Sequence, residues 1–138
     1  MDETLFMIKP DAVQAHKVGA ILSEVERAGF EILDLRLVRL NPHDARLFYA
    51  VHEGKPFLEE LVQFMSSGPA VPVRLRRDKA VPALRDLIGA TDPKEAQPGT
   101  IRALHAESKG RNAVHASDSS ESARAEIEFF FGDVAARR

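Results

Sequence analysis

Near the end of the chain a helix-spaced apolar stripe contains one acid. Ala123, Ile127, Phe130 and Phe131 fall at i, i+4, i+7 and i+8, which is one face of a helix. Glu126 lies three residues after Ala123 and four before Phe130, so it points into that face, while Glu121, Arg124 and Glu128 point elsewhere. A carboxylate turned toward a core needs a partner, because burying a bare charge is costly. The nearest candidate is His115, carried to the end of a short apolar run by Ala113 and Val114, one turn ahead of the helix. Between them, Asp118 and Glu121 have the spacing of a capping box, with Asp as the cap. A histidine held by an acid is a nucleophile or a base; the alternative is a core histidine in a structural hydrogen bond.

At 138 residues the chain reads as one domain with room for a real core. Hydrophobic residues make up 44% and charged residues 29%, an ordinary globular balance. The net charge of −2 argues against a protein that coats nucleic acid, and no specific nucleic-acid partner is expected. With no cysteine, disulfides, thiolate metal sites and cysteine nucleophiles are excluded, which fits a cytoplasmic location. Met1-Asp2-Glu3-Thr4 has no basic region followed by a long apolar run, so no signal peptide is expected. No apolar stretch approaches the roughly 18 residues of a membrane span, and no membrane partner is expected.

Leu5 to Ile8 reads as a buried strand ended by Lys9-Pro10-Asp11. Val18, Ile21, Leu22 and Val25 have helical spacing, stopped by Gly29. Glu31 to Leu40 alternates, with Leu33, Leu35 and Leu37 on one face of a strand. Asn41-Pro42 starts a helix running to about Val51. Leu58, Leu61, Val62 and Met65 mark another, and Ser67-Gly68-Pro69 is a turn. Val71, Val73 and Leu75 alternate with Pro72, Arg74 and Arg76 as a strand. Asp78 caps a helix to about Ile88. From Gly89 to Arg111 periodicity disappears; a loop of that length inside a compact domain usually belongs to a site. The order β-α-β-α-α-β-α-β-α reads as βαββαβ with extra helices: an α/β (α+β) sandwich of ferredoxin-like type, a four-stranded antiparallel sheet covered by helices, with a long loop before the His115 strand.

Neither a P-loop nor a G-x-G-x-x-G fingerprint occurs, so bound phosphates would have to be held by side chains. The cations in suggestive places are Lys9 at a strand end, Arg85 late in a helix, and Arg102 in the long loop. Arginine suits phosphate through its planar fork of donors. Thr91 and Asn112 add neutral donors. Each cation alone also reads as a solvated surface charge, and Tyr49 and Phe57 as core or rim aromatics. His16, His43, His52 and His105 lack metal-ligand spacing and read as surface residues.

Six segments carry a resemblance: Phe6-Met7-Ile8-Lys9-Pro10-Asp11-Ala12-Val13, Lys55-Pro56-Phe57, Ser67-Gly68-Pro69, Gly89-Ala90-Thr91-Asp92-Pro93, Pro98-Gly99-Thr100-Ile101-Arg102 and Asn112-Ala113-Val114-His115-Ala116-Ser117-Asp118-Ser119. In their order and spacing the chain resembles the nucleoside diphosphate kinases of the short bacterial type, over essentially its whole length. The resemblance implies a single kinase domain over residues 1–138 and a ping-pong reaction. In it a nucleoside triphosphate gives its γ-phosphate to His115, and a nucleoside diphosphate takes it. The matching positions imply that Lys9, Tyr49, Arg85, Thr91, Arg102 and Asn112 hold phosphates and ribose. Phe57 would stack on the base, and Ser117 and Glu126 would support the histidine. Mg²⁺ would be held mainly by the nucleotide's phosphates rather than by protein ligands. A homo-oligomer of dimers, tetramer or hexamer, is implied, and the short end after Phe131 leaves both open. The alternative is a non-catalytic nucleotide- or protein-binding module on the same fold. The sequence departs from the family at Ala103-Leu104-His105, at Lys109 on the base side, and at Pro72 inside a strand. It departs also at Ala116, where glycine is common and where a positive φ would strain an alanine.

Overall fold

The structure, a computed structural model, describes residues 1–136. Four strands form one sheet: β1 (Asp2–Ile8), β2 (Glu31–Leu35), β3 (Val71–Arg77) and β4 (Val114–Ala116). Their spatial order is β2-β3-β1-β4, and every neighbouring pair is antiparallel. The helices are α1 (Pro10–Gln14), α2 (Val18–Arg27), α3 (Pro42–Phe48), α4 (Leu58–Met65), α5 (Ala80–Ile88), α6 (Ile101–His105) and α7 (Ser120–Ala136), with a 3₁₀ turn at Ala50–His52. Helix α2 links β1 to β2 and α5 links β3 to β4, so two split β-α-β units interleave in the ferredoxin-like manner expected above. Helices α3 and α4 are inserted before β3, and α7 is added at the end.

Strand β1 reads as an unbroken apolar run because both faces of the sheet are covered. Phe6 and Ile8 pack with Val73 and Leu75 of β3 and with Ile21, Val25, Leu84 and Ile88 of α2 and α5. Leu5 and Met7 point the other way, into a second core with Tyr49, Val62, Met65, Phe130 and Phe131. Helix α7 therefore docks on the second face through the stripe read from its sequence.

Several local expectations change. Strand β2 stops at Leu35 after an irregularity between Ile32 and Asp34, and only a Val38–Ala70 bridge continues the pairing. The irregularity breaks the expected row Leu33, Leu35, Leu37: Ile32 and Leu35 lie opposite Leu75 and Val73 and share a face, where Ile32 packs on the core, while Leu35 and Leu37 are 45% and 71% exposed. Pro72 does not break β3. Its carbonyl accepts from Arg36 N–H, so its missing donor falls on the side where β2 has already left the sheet, and the ladder to β1 is unaffected.

The helix caps also move. Helix α7 is capped by Ser119, whose Oγ accepts from Ser122 N–H at 3.0 Å, one residue later than the expected Asp118 cap. Helix α5 starts after Lys79 in a left-handed conformation, not under an Asp78 cap. Lys9-Pro10-Asp11 does more than end a strand: Pro10 opens α1. The aperiodic stretch from Gly89 holds α6, capped by Thr100 Oγ1 on Ala103 N–H. Five residues are too few to show a period.

Candidate active site

The site is assembled where β1 ends and β4 begins. Met7 lies directly opposite His115, and opposed residues on antiparallel strands share a face. His115 thus joins the second core, beneath α7. Ser117, two residues on, follows it to the same face, and its N–H extends the ladder to Leu5 O. Glu126 meets both: His115 Nε2 lies 2.8 Å from Glu126 Oε1, and Ser117 Oγ donates to the same oxygen at 2.8 Å. A carboxylate only accepts, so Nε2 bears the hydrogen and Nδ1 keeps its lone pair. The rings of Phe48 and Tyr49 stand edge-on to the imidazole, with centroids at 5.3 and 6.2 Å.

Beside this triad the backbone makes an unusual turn. Ala113 has φ +73°, and Val114 N–H donates to Asn112 O at 2.8 Å, which closes a γ-turn. The positive φ expected as a risk at Ala116 is here instead. The turn aims Asn112 at Lys9: Lys9 Nζ donates to Asn112 Oδ1 at 3.0 Å, and Asn112 Nδ2 reaches Thr91 O at 3.5 Å.

Lys9 and Arg102 are 8% and 9% exposed, uncommon burial for cations. Burial, reinforced by the Arg102 charge and opposed by Asp11, lowers the Lys9 pKa to about 8. Burial and the Arg85 charge lower that of Arg102 to about 10. Two Arg102 nitrogens are fixed on Gly89 O (3.1 Å) and Val114 O (2.8 Å), while Nε is buried without a partner. The Tyr49 hydroxyl is also buried without a partner, and burial with the Glu126 charge pushes its pKa well up. Cations held at that desolvation cost, with donors unspent, suit a polyanion that arrives later.

These groups open onto one cleft of about 910 Å³. Lys9, Tyr49, Arg102, Asn112 and His115, buried or half-buried, line it together with the exposed Thr91, with Phe57, 47% exposed, and with Leu61 and Phe64. Of the residues singled out from sequence, Arg85 is not in the lining. It is exposed on α5, close enough to bear electrostatically on Arg102 and Asp118. Ser117 and Glu126 lie behind the histidine rather than in the cleft.

The family model for nucleoside diphosphate kinase matches residues 2–135. The chain belongs to the nucleoside diphosphate kinase family. A nucleoside diphosphate kinase of Chlorobaculum parvum is 53% identical over 131 residues, covering 95% of this chain and 94% of the relative. The solved nucleoside diphosphate kinase of Aquifex aeolicus superposes with a TM-score of 0.93 at 46% identity over 94% of each chain. That of Halobacterium salinarum, solved in complex with CDP, has a TM-score of 0.92 at 36% identity, over 96% of this chain and 89% of the other. The family's activity, phosphate transfer between nucleotides by a ping-pong mechanism, is that of this enzyme, and the non-catalytic alternative has nothing in its favour.

As a nucleoside diphosphate kinase the chain also shows what its sequence concealed. His52 is not a plain surface residue: it lines the cleft, stacked on Tyr49 at 6.1 Å and edge-on to Phe57 at 5.1 Å. His105 is no surface residue either; its Nε2 pairs with Glu24 Oε2 at 2.7 Å and fastens α6 to α2. Asp11 was missed altogether, although it is a buried acid two residues from Lys9. Lys109 also lines the cleft.

Proposed function

We propose that His115 is the phosphorylated nucleophile and that it attacks through Nδ1. The observation that carries this is the fixing of Nε2 by Glu126 Oε1, itself anchored by Ser117, in a histidine lining a cleft with two buried cations. In the first half-reaction Nδ1 attacks the γ-phosphorus of a nucleoside triphosphate, the bond to the bridging oxygen breaks, and the nucleoside diphosphate leaves. In the second, the terminal oxygen of another diphosphate attacks the same phosphorus, and the P–N bond breaks back to Nδ1. Such transfer depends on in-line positioning and charge neutralisation. Lys9, Arg102 and, from the α5 rim, Arg85 neutralise phosphate oxygens, while Tyr49, Thr91 and Asn112 donate to phosphates and ribose. Glu126 stabilises the positive charge that develops on the ring. Phe57 stacks on the base, which suits every base because each has a π-face.

A nucleotide kinase is expected to need a divalent metal, and we assign it as Mg²⁺ carried by the nucleotide. The lining fits that reading: it holds the cations Lys9, Arg102, Lys109 and Arg111 against one acid, Glu60. Among the described residues no group of three or more His, Asp or Glu could hold a metal. When bound, Mg²⁺ adds charge neutralisation on the phosphate oxygens. We further propose that residues 1–138 act as one kinase domain, in the cytoplasm, as a homo-oligomer built from dimers. Among the described residues no helix is long and apolar enough to cross a membrane. The exposed Leu35 and Leu37 on the β2 edge support assembly, since apolar sheet edges are seldom left open.

Incubation with γ-labelled ATP and Mg²⁺, followed by denaturing separation, tests the reading. The label is expected on the protein, acid-labile and base-stable, and absent from His115→Ala. Label that survives acid, or that persists in the variant, refutes it.

A further inference from the structure

Asp11 is a buried acid that the chemistry above does not use. It stands in the first turn of α1 and is 4% exposed. Its Oδ2 accepts from Ala113 N–H at 3.0 Å, and its Oδ1 is buried without a hydrogen-bond partner. Ala113 is the residue at φ +73° in the γ-turn, a conformation that disfavours any side chain. That residue is held from both sides, its N–H by Asp11 and its carbonyl by Lys9 N–H at 2.8 Å. Asn112 and His115 lie on either side of the turn. The second oxygen has a different consequence. A buried carboxylate with an open valence needs a compensating charge, and Asp11 is the acid that favours the charged form of Lys9 against burial and Arg102.

We propose that Asp11 is a positioning residue of the phosphoryl-transfer site: one oxygen holds Ala113 in the turn that sets Asn112 and His115, and its charge keeps the Lys9 ammonium beside them. This rests on the reading of His115 as the nucleophile.

The two contributions separate by substitution. Asn at position 11 keeps an oxygen for the Ala113 N–H but has no charge. Ala has neither. Gly at position 113 adopts the turn without strain. Lys9 bonds Asn112 and feels the charges of Arg102 of α6 and Asp11 of α1, and the other titratable groups that line the cleft with it are Tyr49, His52 and His115 with the exposed Glu60, Lys109 and Arg111. Loss of the Asp11 charge removes the acid that opposes burial, so Lys9 gives up its proton at lower pH.

The experiment compares wild type, Asp11→Asn, Asp11→Ala and the double variant Asp11→Ala with Ala113→Gly. It measures kcat/KM against pH, single-turnover phosphohistidine formation from γ-labelled ATP with Mg²⁺, and the thermal midpoint. The alkaline limb is expected near pH 8 in the wild type, and lower by roughly one unit in Asp11→Asn. Asp11→Ala should share that shift and also phosphorylate roughly a hundredfold more slowly, the scale of a misplaced reacting group. The double variant should regain most of that rate without regaining the limb. An Asp11→Asn limb that coincides with wild type, an Asp11→Ala rate equal to wild type, or a folded double variant that recovers nothing overturns the proposal. If Asp11→Ala does not fold, the Asp11→Asn limb decides alone. Failure of the His115 reading is visible separately, as label retained by His115→Ala.

Discussion

Glu126 shows how one side chain can be legible as out of place. An acid in an apolar stripe must have a partner, and it has two, His115 and Ser117, on one oxygen. Glu126→Gln keeps an oxygen that can accept from both and loses the charge. Phosphotransfer is expected to slow by roughly ten- to ten-thousandfold, the range of an orienting or proton-handling group. The thermal midpoint should change little, because neutralising a buried acid while keeping its contact can be nearly neutral. Phosphohistidine formation and melting on one preparation decide it; a lower midpoint with unchanged turnover would make the pair structural. Lys9 is the converse case, a charge kept for function against stability. Its folded pKa, about 8, lies below the ordinary 10.5, so the unfolded chain binds its proton more tightly. The resulting stability is fully present above 10.5 and is lost as pH falls through 8. Lys9→Met is therefore expected to abolish phosphotransfer, and the wild type should gain stability relative to it as pH rises from 8 toward 10.5. Melts across that range check the sign; a wild type that loses stability relative to the variant over this interval contradicts it.

Among the elements, the segment from Gly89 to α6 was the least legible and has the most exacting geometry. Gly89 sits at φ +85° and ψ −178°, a region almost reserved for glycine, and a Cβ there would lie 2.5 Å from Thr100 Oγ1. Gly89 O also anchors Arg102, and Thr100 caps the helix that carries Arg102. Gly89→Ala is expected to destabilise by about 1–3 kcal/mol and to raise KM for nucleotides more than it lowers kcat. Denaturant titration with steady-state kinetics would show this; unchanged values for both would mean that the segment tolerates displacement. Nothing in the composition announces this arrangement, since Gly89 reads only as the start of an aperiodic stretch and α6 is too short to show periodicity. Asn41, by contrast, was plain: its Oδ1 accepts from Asp44 N–H at 2.8 Å, as an Asn-Pro helix start requires.

For the whole molecule, the open question is what covers the β2 edge. Alternation put Leu33, Leu35 and Leu37 on one face, but the irregularity between Ile32 and Asp34 breaks the period and sets Leu35 opposite Val73, on the face of Ile32. Leu35 and Leu37 are nevertheless exposed, and a second copy is the cover we expect. Light scattering at micromolar concentration should give a multiple of a dimer, and Leu35→Lys with Leu37→Lys should shift it toward smaller species. A stable, active monomer in the wild type would contradict the assembly.

What the sequence determined by itself is whatever depends on near neighbours along the chain. Period placed α2, α4 and α7, and period with an Asn-Pro cap placed α3. The stripe turned Glu126 inward, and the ordered segments named the family. What only the tertiary structure decided depends on groups far apart in the chain. The interleaved sheet brings Lys9 and Asp11 against Asn112 and Ala113. It places the positive φ at Ala113 rather than Ala116, sets His52 in the cleft and leaves Leu35 and Leu37 exposed. Those outcomes follow from strand order and from which face each helix covers, and such contacts leave no periodic mark on the residues that make them.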